Sequence, residues 1–229
     1  MTGREKMSKK VFITATGTDI GKTYVSALIV KKMREEGYNC GYFKPVLSGV
    51  VEKDGVLTES DCNYVVDTAK IPTTANECVT YWWKEAVSPH LAAERFGEEI
   101  NIDKIKKDYE KKRQEYDYLL VEGAGGITCP LRLINGEKFL LKDLIKELGT
   151  NIIIVADGGL GTINSIVLTV EYAKQNGIKV EGIILNNFEP DNFMHQDNLK
   201  QVEYLTGIKV IATVEKNQKE INLLQKYFV

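Results

Sequence analysis

A phosphate-binding type of loop near the N-terminus constrains this sequence more than any other feature. Residues 15–24 read ATGTDIGKTY, they directly follow an apolar run at 11–13, and residues 25–33 repeat apolar side chains at helical spacing. This order predicts a strand, a small flexible loop and a helix. Backbone N–H groups at the helix start, together with Lys22, would face a polyanion, and the Thr23 hydroxyl could ligate Mg²⁺.

The loop departs from the common pattern at one position. That pattern has a glycine six residues before the lysine, whereas this chain has Thr16 there and Gly17 directly after it. We therefore interpret the loop as a variant nucleotide-binding loop whose turn has its own shape. The alternative is an ordinary strand–turn–helix with a chance Gly-Lys-Thr, which the strand before it and the helix after it disfavour.

Length, charge and cysteine usage limit the class of protein. The 229 residues suffice for one large domain with a substantial core, and we predict a single domain over 1–229 with a flexible N-terminal tail at 1–9. A net charge of −2 argues against nucleic acid or an anionic membrane as the main partner. The four cysteines form no Cys-x-x-Cys pair, and no apolar run resembles a signal peptide or approaches membrane-spanning length. We expect a soluble, cytoplasmic protein.

Apolar runs of strand length alternate with amphipathic stretches along the chain. The predicted strands are 11–14, 40–44, 118–122, 151–156, 182–186 and 208–213, and the predicted helices are 22–36, 101–115, 139–148, 162–176 and 195–206. Segment 45–100 does not follow this alternation. It contains a polar stretch and short predicted helices that begin at Asp61 and after Ser88. The alternation predicts an α/β fold: a doubly wound, mostly parallel sheet with the architecture of P-loop NTPases.

Ligands of such sheets bind beyond the carboxyl ends of the strands, so the residues there are the candidates for chemistry. Lys44 ends the second predicted strand, where a cation could neutralise a transferring phosphoryl group or simply be a surface lysine. Glu122 ends the third, and a carboxylate at that place near a nucleotide favours Mg²⁺ binding. Asp61 begins a helix and is either a metal ligand or a helix cap.

Two later loops offer weaker signals. Gly158-Gly159-Leu160-Gly161-Thr162 precedes a helix, which makes a second helix start able to hold an anion such as a substrate carboxylate; a flexible turn is equally compatible. Asn186 ends a strand, and its amide could pair with an adenine edge or could be an ordinary turn residue.

Taken together, five motifs resemble the dethiobiotin synthetase family. They are, in order, residues 17–23 (GTDIGKT), 44–49 (KPVLSG), 60–61 (SD), 88–90 (SPH) and 121–126 (VEGAGG). The resemblance implies ATP-dependent joining of carbon dioxide to 7,8-diaminopelargonic acid. In that reaction a carbamate forms on one amine, ATP phosphorylates it, and the second amine closes the ureido ring of dethiobiotin.

The resemblance also implies roles for single residues. Lys22, Lys44 and Ser48 would be catalytic: the lysines bind ATP phosphates and the developing charge, and Ser48 contacts the diamine or its carbamate. The nucleotide would be bound by Thr18, Asp19, Ile20, Gly21, Lys22, Thr23, Tyr24 and Asn186. Magnesium would be surrounded by Thr23, Asp61 and Glu122.

A homodimer with shared active sites is a further implication of the resemblance. The Gly158–Asn164 segment of one subunit is expected to hold the substrate carboxylate bound to the other. The substrate-binding residues would then be Ser48, Gly158, Leu160, Gly161, Thr162 and Asn164.

Two other functions on the same fold stay open at this stage. An amide ligase of the cobyrinic-acid-amidating type is expected to add a glutamine-hydrolysing domain, for which no residues follow 229. A partitioning-type switch ATPase is expected to carry an extra lysine early in the phosphate loop, where residues 14–17 here read TATG.

Overall fold

A computed structural model describes residues 8–134, 136–223 and 225–228, and its centre is a seven-stranded sheet. From edge to edge the strands are β11 (Val210–Val214), β10 (Val180–Asn186), β9 (Ile152–Asp157), β1 (Lys9–Ala15), β6 (Tyr118–Gly126), β2 (Cys40–Ser48) and β5 (Val79–Trp83). Every neighbouring pair in this sheet is parallel. The predicted α/β fold with a parallel sheet is confirmed.

Helices follow most of these strands and cover both faces of the sheet. They are α1 (Lys22–Glu35), α2 (Asp61–Ala69), α3 (Pro89–Arg95), α4 (Ile102–Glu115), α5 (Leu141–Glu147), α6 (Thr162–Gln175) and α7 (Phe193–Thr206). From β1 the chain crosses towards the β5 edge, and from β9 it crosses towards the β11 edge. With right-handed crossovers this reversal places helices on opposite faces and opens a crevice beside β1.

The central strands are buried on both faces. Residues 152–156 of β9 have no solvent exposure, which agrees with their being apolar at every position. The same holds for residues 119–121 of β6 and 11–13 of β1. These strands form a rigid base, at whose carboxyl end the polar residues lie.

Three features of the fold differ from the sequence-based expectation. Strand β5 was not predicted, because this edge strand is only partly buried and its sequence VTYWW has no uniform apolar pattern. The antiparallel hairpins β3–β4 (Val51–Lys53 and Val56–Glu59) and β7–β8 (Pro130–Ile134 and Glu137–Leu140) were also missed. Strand β5 and the two hairpins do not belong to the regular alternation of strands and helices on which the prediction depended.

The N-terminal boundary also differs from the prediction. Residues 1–7 of the predicted tail lie outside the described residues, whereas Ser8 is buried and Lys9 pairs with Tyr118 within the sheet. The folded domain therefore includes Ser8 and Lys9. Among the residues that the structure describes, no helix combines the length and apolar character needed to cross a membrane.

Candidate active site

A cavity of about 660 Å³ lies at the carboxyl ends of β1, β2 and β6. This is the reversal point of the strand order, where open α/β sheets bind ligands. Predicted site residues that line it are Thr18, Asp19, Gly21, Lys22, Thr23, Lys44, Ser48 and Asp61. Residues far apart in sequence are therefore brought to one crevice, as the positions of the strand ends predict.

The phosphate loop makes its turn at Asp19 and Gly21. These residues have φ values of 58° and 93°, whereas the φ of Gly17 is not positive. Gly21 is the N-cap of α1, and no side chain caps that helix, so its first N–H groups are left for an anion. The Lys22 ammonium donates to the Gly17 carbonyl at 3.0 Å across the loop. Burial, and then the positive charge of Lys44, lower the pKa of Lys22.

Asn186 supports this loop from the end of β10, which is separated from β1 by β9 in the sheet. Its Nδ2 donates to the Ile20 carbonyl at 2.9 Å, and a Cβ on Gly21 would lie 2.2 Å from that nitrogen. Only glycine fits at this point of the loop. The Oδ1 of Asn186 is buried and has no hydrogen-bond partner within the described chain, so one acceptor of this amide is unsatisfied.

A buried cluster of charges lies beneath the cavity. The Lys44 ammonium contacts Oδ2 of Asp61 and Oε1 of Glu122, both at 2.5 Å, and the Thr23 hydroxyl donates to the same Glu122 oxygen at 2.8 Å. Glu122 has no solvent exposure and Lys44 only 3%. The strand pairing explains this closeness, because β2 and β6 are neighbours and Phe43 pairs with Val121, one residue before each charge.

The ion pairs keep Lys44 and Asp61 charged. Burial alone would lower the pKa of Lys44, but the Glu122 and Asp61 carboxylates outweigh burial and raise it above its ordinary value. Burial likewise raises the pKa of Asp61, but the Lys44 charge and the hydrogen bond from Lys44 act against burial, and the Asp61 pKa is lowered overall. The interpretation of Lys44 as a surface residue is therefore wrong.

The interpretation of Asp61 as a helix cap is also wrong. The N-cap of α2 is Ser60, whose hydroxyl accepts from the Asn63 backbone N–H at 3.2 Å. Asp61 directs its carboxylate to Lys44 instead, and 40% of its side chain is exposed to the cavity side. It is thus available to a ligand.

Tyr42 completes the cluster and was missed by the sequence analysis. It is fully buried, and its hydroxyl donates to Oε2 of Glu122 at 3.0 Å. The available signal was its spacing from Lys44, since residues two apart in a strand share one face of the sheet.

The donor set suits magnesium. Thr23, Asp61 and Glu122 offer hard oxygen ligands in one place, with Thr23 and Asp61 lining the cavity. Within the described residues no group of three or more His, Cys, Asp or Glu side chains could hold a metal ion by itself. Two carboxylates and a hydroxyl match a cation that keeps several waters and takes phosphate oxygens, as Mg²⁺ does.

Three of the residues predicted to bind nucleotide, Ile20, Tyr24 and Asn186, do not line the cavity. The Ile20 carbonyl accepts from Asn186, and the Tyr24 hydroxyl donates to the Gln218 backbone carbonyl of the C-terminal segment. Both contacts support the phosphate loop and the helix after it. Ser48 does line the cavity, with its hydroxyl donating to the Val87 carbonyl at 2.6 Å.

The Gly158–Asn164 segment lies apart from the cavity of its own chain. It comprises the loop after β9 and the first residues of α6, and Asn198 of α7 fixes the loop by donating to the Gly158 and Gly159 carbonyls, each at 2.9 Å. Leu160 is 92% exposed, and the Thr162 hydroxyl is buried without a partner in the described chain. Within one subunit the two predicted halves of the substrate site do not meet.

Sequence reasoning also missed a cavity-lining cysteine. Cys129 is half-buried and lines the cavity, whereas Cys40, Cys62 and Cys78 are buried elsewhere. Burial raises the pKa of the Cys129 thiol to about 11, although the Lys22 charge opposes this rise. At neutral pH the residue is a neutral, weakly polar wall of the cavity.

Comparisons of structure relate the fold to that of cell division proteins. A MinC:MinD cell division protein complex and a MinD cell division protein, both from Aquifex aeolicus, match with a TM-score of 0.55 at 14% and 13% identity. The matches cover 93% of this chain and 83% and 84% of those chains. At such low identity the likeness shows the fold alone.

Comparisons of sequence identify the family. A family model described as "AAA domain" matches residues 9–222. The ATP-dependent dethiobiotin synthetase BioD of Brachyspira hyodysenteriae is 51% identical over 91% of this chain and 92% of the relative. That of Clostridium botulinum strain Eklund 17B is 47% identical over 95% of each. The resemblance inferred from the motifs is confirmed, and the chain belongs to the ATP-dependent dethiobiotin synthetase family.

Proposed function

We propose that this chain closes the ureido ring of dethiobiotin from 7,8-diaminopelargonic acid and carbon dioxide, using ATP and Mg²⁺. The observation that carries the proposal is the position of Lys44. Its buried ammonium lies at the cavity between Asp61 and Glu122, beside the phosphate loop with Lys22. Relatives at about half identity bear the dethiobiotin synthetase name, and they support this activity over a switch or amidating role.

The proposed chemistry needs positioned charge and no protein nucleophile. A carbamate on one amine is itself nucleophilic, and one of its oxygens attacks the γ-phosphorus of ATP as the bond to ADP breaks. The second amine then attacks the carbamate carbon, the ring C–N bond forms, and inorganic phosphate leaves. Lys22 and Lys44 stabilise the charge of the transferring phosphoryl group, which accounts for most catalysis in reactions of this kind.

The nucleotide would be bound across the phosphate loop. The uncapped start of α1 and residues Thr18 to Thr23 would receive the phosphates, and the free Oδ1 of Asn186 would accept from the adenine amino group. Thr23, Asp61 and Glu122 would hold Mg²⁺, which when bound neutralises phosphate charge. The use of ATP by the family supports the expected cytoplasmic location.

The diamine would occupy the other half of the cavity. Ser48 lies on this side, next to Val87 and Ser88, where its hydroxyl can contact the diamine or its carbamate. Lys44 lies between this half and the phosphate loop. A carbamate formed there would face the γ-phosphate across Lys44, and this placing of the two reactants is the main demand of the reaction.

A homodimer with shared active sites is part of the proposal. Large apolar side chains exposed on α6, on α7 and in the loop before α6 support it, because such side chains are often covered by a partner: Leu160, Leu168, Phe193, Tyr204 and Leu205. The Gly158–Asn164 segment contributes Leu160 to these exposed side chains, so a partner that covers them could bring its substrate carboxylate to the start of α6. Within one chain this segment is separate from the cavity, which supports the assignment to the partner's substrate.

Mass spectrometry after incubation with the diamine, bicarbonate, ATP and Mg²⁺ tests the proposal directly. We expect dethiobiotin, ADP and phosphate in equal amounts, and none of them when the diamine is omitted. ATP hydrolysis that continues without the diamine and yields no dethiobiotin would contradict the proposal and favour a switch ATPase.

A further inference from the structure

We propose that Tyr42 is a positioning residue for the magnesium and phosphoryl-transfer site. Its hydroxyl holds one oxygen of Glu122, so that the other oxygen is presented to Thr23, Lys44 and the metal. This inference rests on the proposed function, because it assigns Glu122 to the magnesium site, and it concerns a residue that does not line the cavity.

The two oxygens of Glu122 have separate sets of partners. Oε1 accepts from the Thr23 hydroxyl at 2.8 Å and from the Lys44 ammonium at 2.5 Å, whereas Oε2 accepts from the Tyr42 hydroxyl at 3.0 Å. A carboxylate with a donor on each oxygen has little freedom to rotate. The Tyr42 bond therefore determines which oxygen faces the site.

Burial makes this hydrogen bond hard to replace. Glu122 has no exposed surface and Tyr42 is only 1% exposed, so solvent water does not reach Oε2 if the hydroxyl is removed. A buried, ionised oxygen without a donor is costly, and the carboxylate would turn to share its remaining donors. Oε1 would then leave the orientation in which it meets Thr23 and Lys44.

The strand geometry assigns this role to position 42 in particular. Tyr42 and Lys44 share one face of β2, and Glu122 is on the adjacent β6, whose Leu120 pairs with Tyr42. The Tyr42 hydroxyl thus contacts Oε2 of Glu122 on the side away from the cavity, while Lys44, which lines the cavity, contacts Oε1. A phenylalanine at this position would keep the packing and lose only the donor.

Metal affinity without turnover is the appropriate measurement. Mn²⁺ serves as the probe, and free Mn²⁺ is followed by electron paramagnetic resonance as it is titrated into the full-length protein with ADP. We expect Tyr42→Phe to weaken Mn²⁺ binding by about 10–100-fold, the usual loss when a group that orients a metal ligand is removed. The thermal midpoint of every variant is recorded alongside.

Tyr109→Phe is the matched control. Tyr109 is equally buried, its hydroxyl makes one long contact of 3.4 Å to the Leu148 carbonyl, and it lies on α4 away from the cavity. Any general effect of losing a buried hydroxyl appears in this variant too, whereas its Mn²⁺ affinity should equal that of the wild type. A 4-aminophenylalanine at position 42 keeps a donor and should restore binding.

A double-mutant cycle tests whether Tyr42 acts through Glu122. In the Glu122→Gln background, adding Tyr42→Phe should cause no further loss of Mn²⁺ affinity, because residues that act as one unit are not additive. Additive losses, or equal affinities of Tyr42→Phe and Tyr109→Phe, would overturn the inference. If Tyr42→Phe does not fold, two other substitutions at position 42 are compared: 4-fluorophenylalanine, which fills the space of the hydroxyl without donating, and 4-aminophenylalanine, which donates. Equal Mn²⁺ affinities of these two variants would also overturn the inference.

Failure of this inference is distinguishable from failure of the proposed function. The titration contains no diamine, so it reports on the carboxylate and the metal alone. A wild-type protein that makes no dethiobiotin contradicts the function, whereas one that does so with an unaffected Tyr42→Phe titration contradicts only the role of Tyr42.

Discussion

The Lys44 ammonium lies 2.5 Å from Oε1 of Glu122, and neither side chain is open to bulk water. Taking both charges out of water is costly, and removing one partner leaves the other uncompensated. Asp61 contributes a second carboxylate to Lys44 from the more exposed side. Lys44 is therefore part of the folded core and also lines the cavity.

Lys44→Gln should lower turnover by about 10²–10³, because one charge that stabilises the transferring phosphoryl group is lost. It should also lower the free energy of unfolding, and with it the thermal midpoint. The loss should be smaller than the about 3–5 kcal/mol typical of removing one partner of a buried ion pair, since the glutamine amide can still donate. Assays run well below the midpoint separate the two effects. Lys106→Gln, which breaks an exposed ion pair with Glu147, is the control and should change neither quantity. Near-normal turnover of Lys44→Gln would refute the catalytic role.

Asp61→Asn should raise the Mg²⁺ concentration that gives half-maximal activity, because a neutral amide is a poorer ligand for a hard cation. The adjacent Ser60→Ala variant removes the N-cap of α2 and should cost about 1 kcal/mol of stability without changing the Mg²⁺ requirement. Magnesium titrations of activity and thermal unfolding of both variants provide the comparison. The opposite pattern, with Ser60→Ala alone altering the Mg²⁺ requirement, would exclude Asp61 as a ligand.

Cys129 should report nucleotide binding without any turnover. Of the four cysteines it alone lines the cavity, so iodoacetamide should label it first under native conditions. Because burial raises its pKa to about 11, the thiol is neutral at pH 8, and the labelling rate should rise as the pH increases towards that value. Peptide mass spectrometry at several pH values measures the rate, and ADP with Mg²⁺ should slow it. Unchanged labelling in the presence of bound nucleotide would remove Cys129 from the nucleotide site.

Complementation between two inactive variants should reveal a shared active site. Lys22→Ala damages the nucleotide half, and Leu160→Glu places a negative charge where the substrate carboxylate is expected to bind. Leu160 is preferable to Gly161, whose φ of 89° would strain any other residue. In a mixed two-fold dimer one site receives both defects and the other neither.

Equal mixing with free subunit exchange makes half of the dimers mixed, so roughly a quarter of wild-type activity should return. Native mass spectrometry establishes that exchange has occurred and that both variants remain dimeric. Lys22→Ala mixed with a second Lys22 variant is the control and should regain nothing. Exchange without recovered activity would mean that each carboxylate is bound within one subunit.

Much of the site could be predicted from the sequence because its residues occupy defined positions in local elements. Lys22 and Thr23 follow from the strand–loop–helix pattern, and Lys44 and Glu122 from the ends of the predicted strands. Those predicted ends are too early, because β2 continues to Ser48 and β6 to Gly126. Periodicity was sufficient to predict six strands of the sheet. It failed for β5, since an edge strand buries too little of its surface to have an apolar pattern.

The sequence by itself determined the fold class, the phosphate loop and the types of residue around it, since these depend on periodicity, turn chemistry and short motifs. Only the tertiary structure excluded Asp61 as the helix cap, buried the Lys44–Glu122 pair, and placed Tyr42 against Glu122. Each of these outcomes depends on which strands are neighbours and on their register. The physical reason is that burial and charge pairing arise between segments distant in sequence, so no local pattern records them.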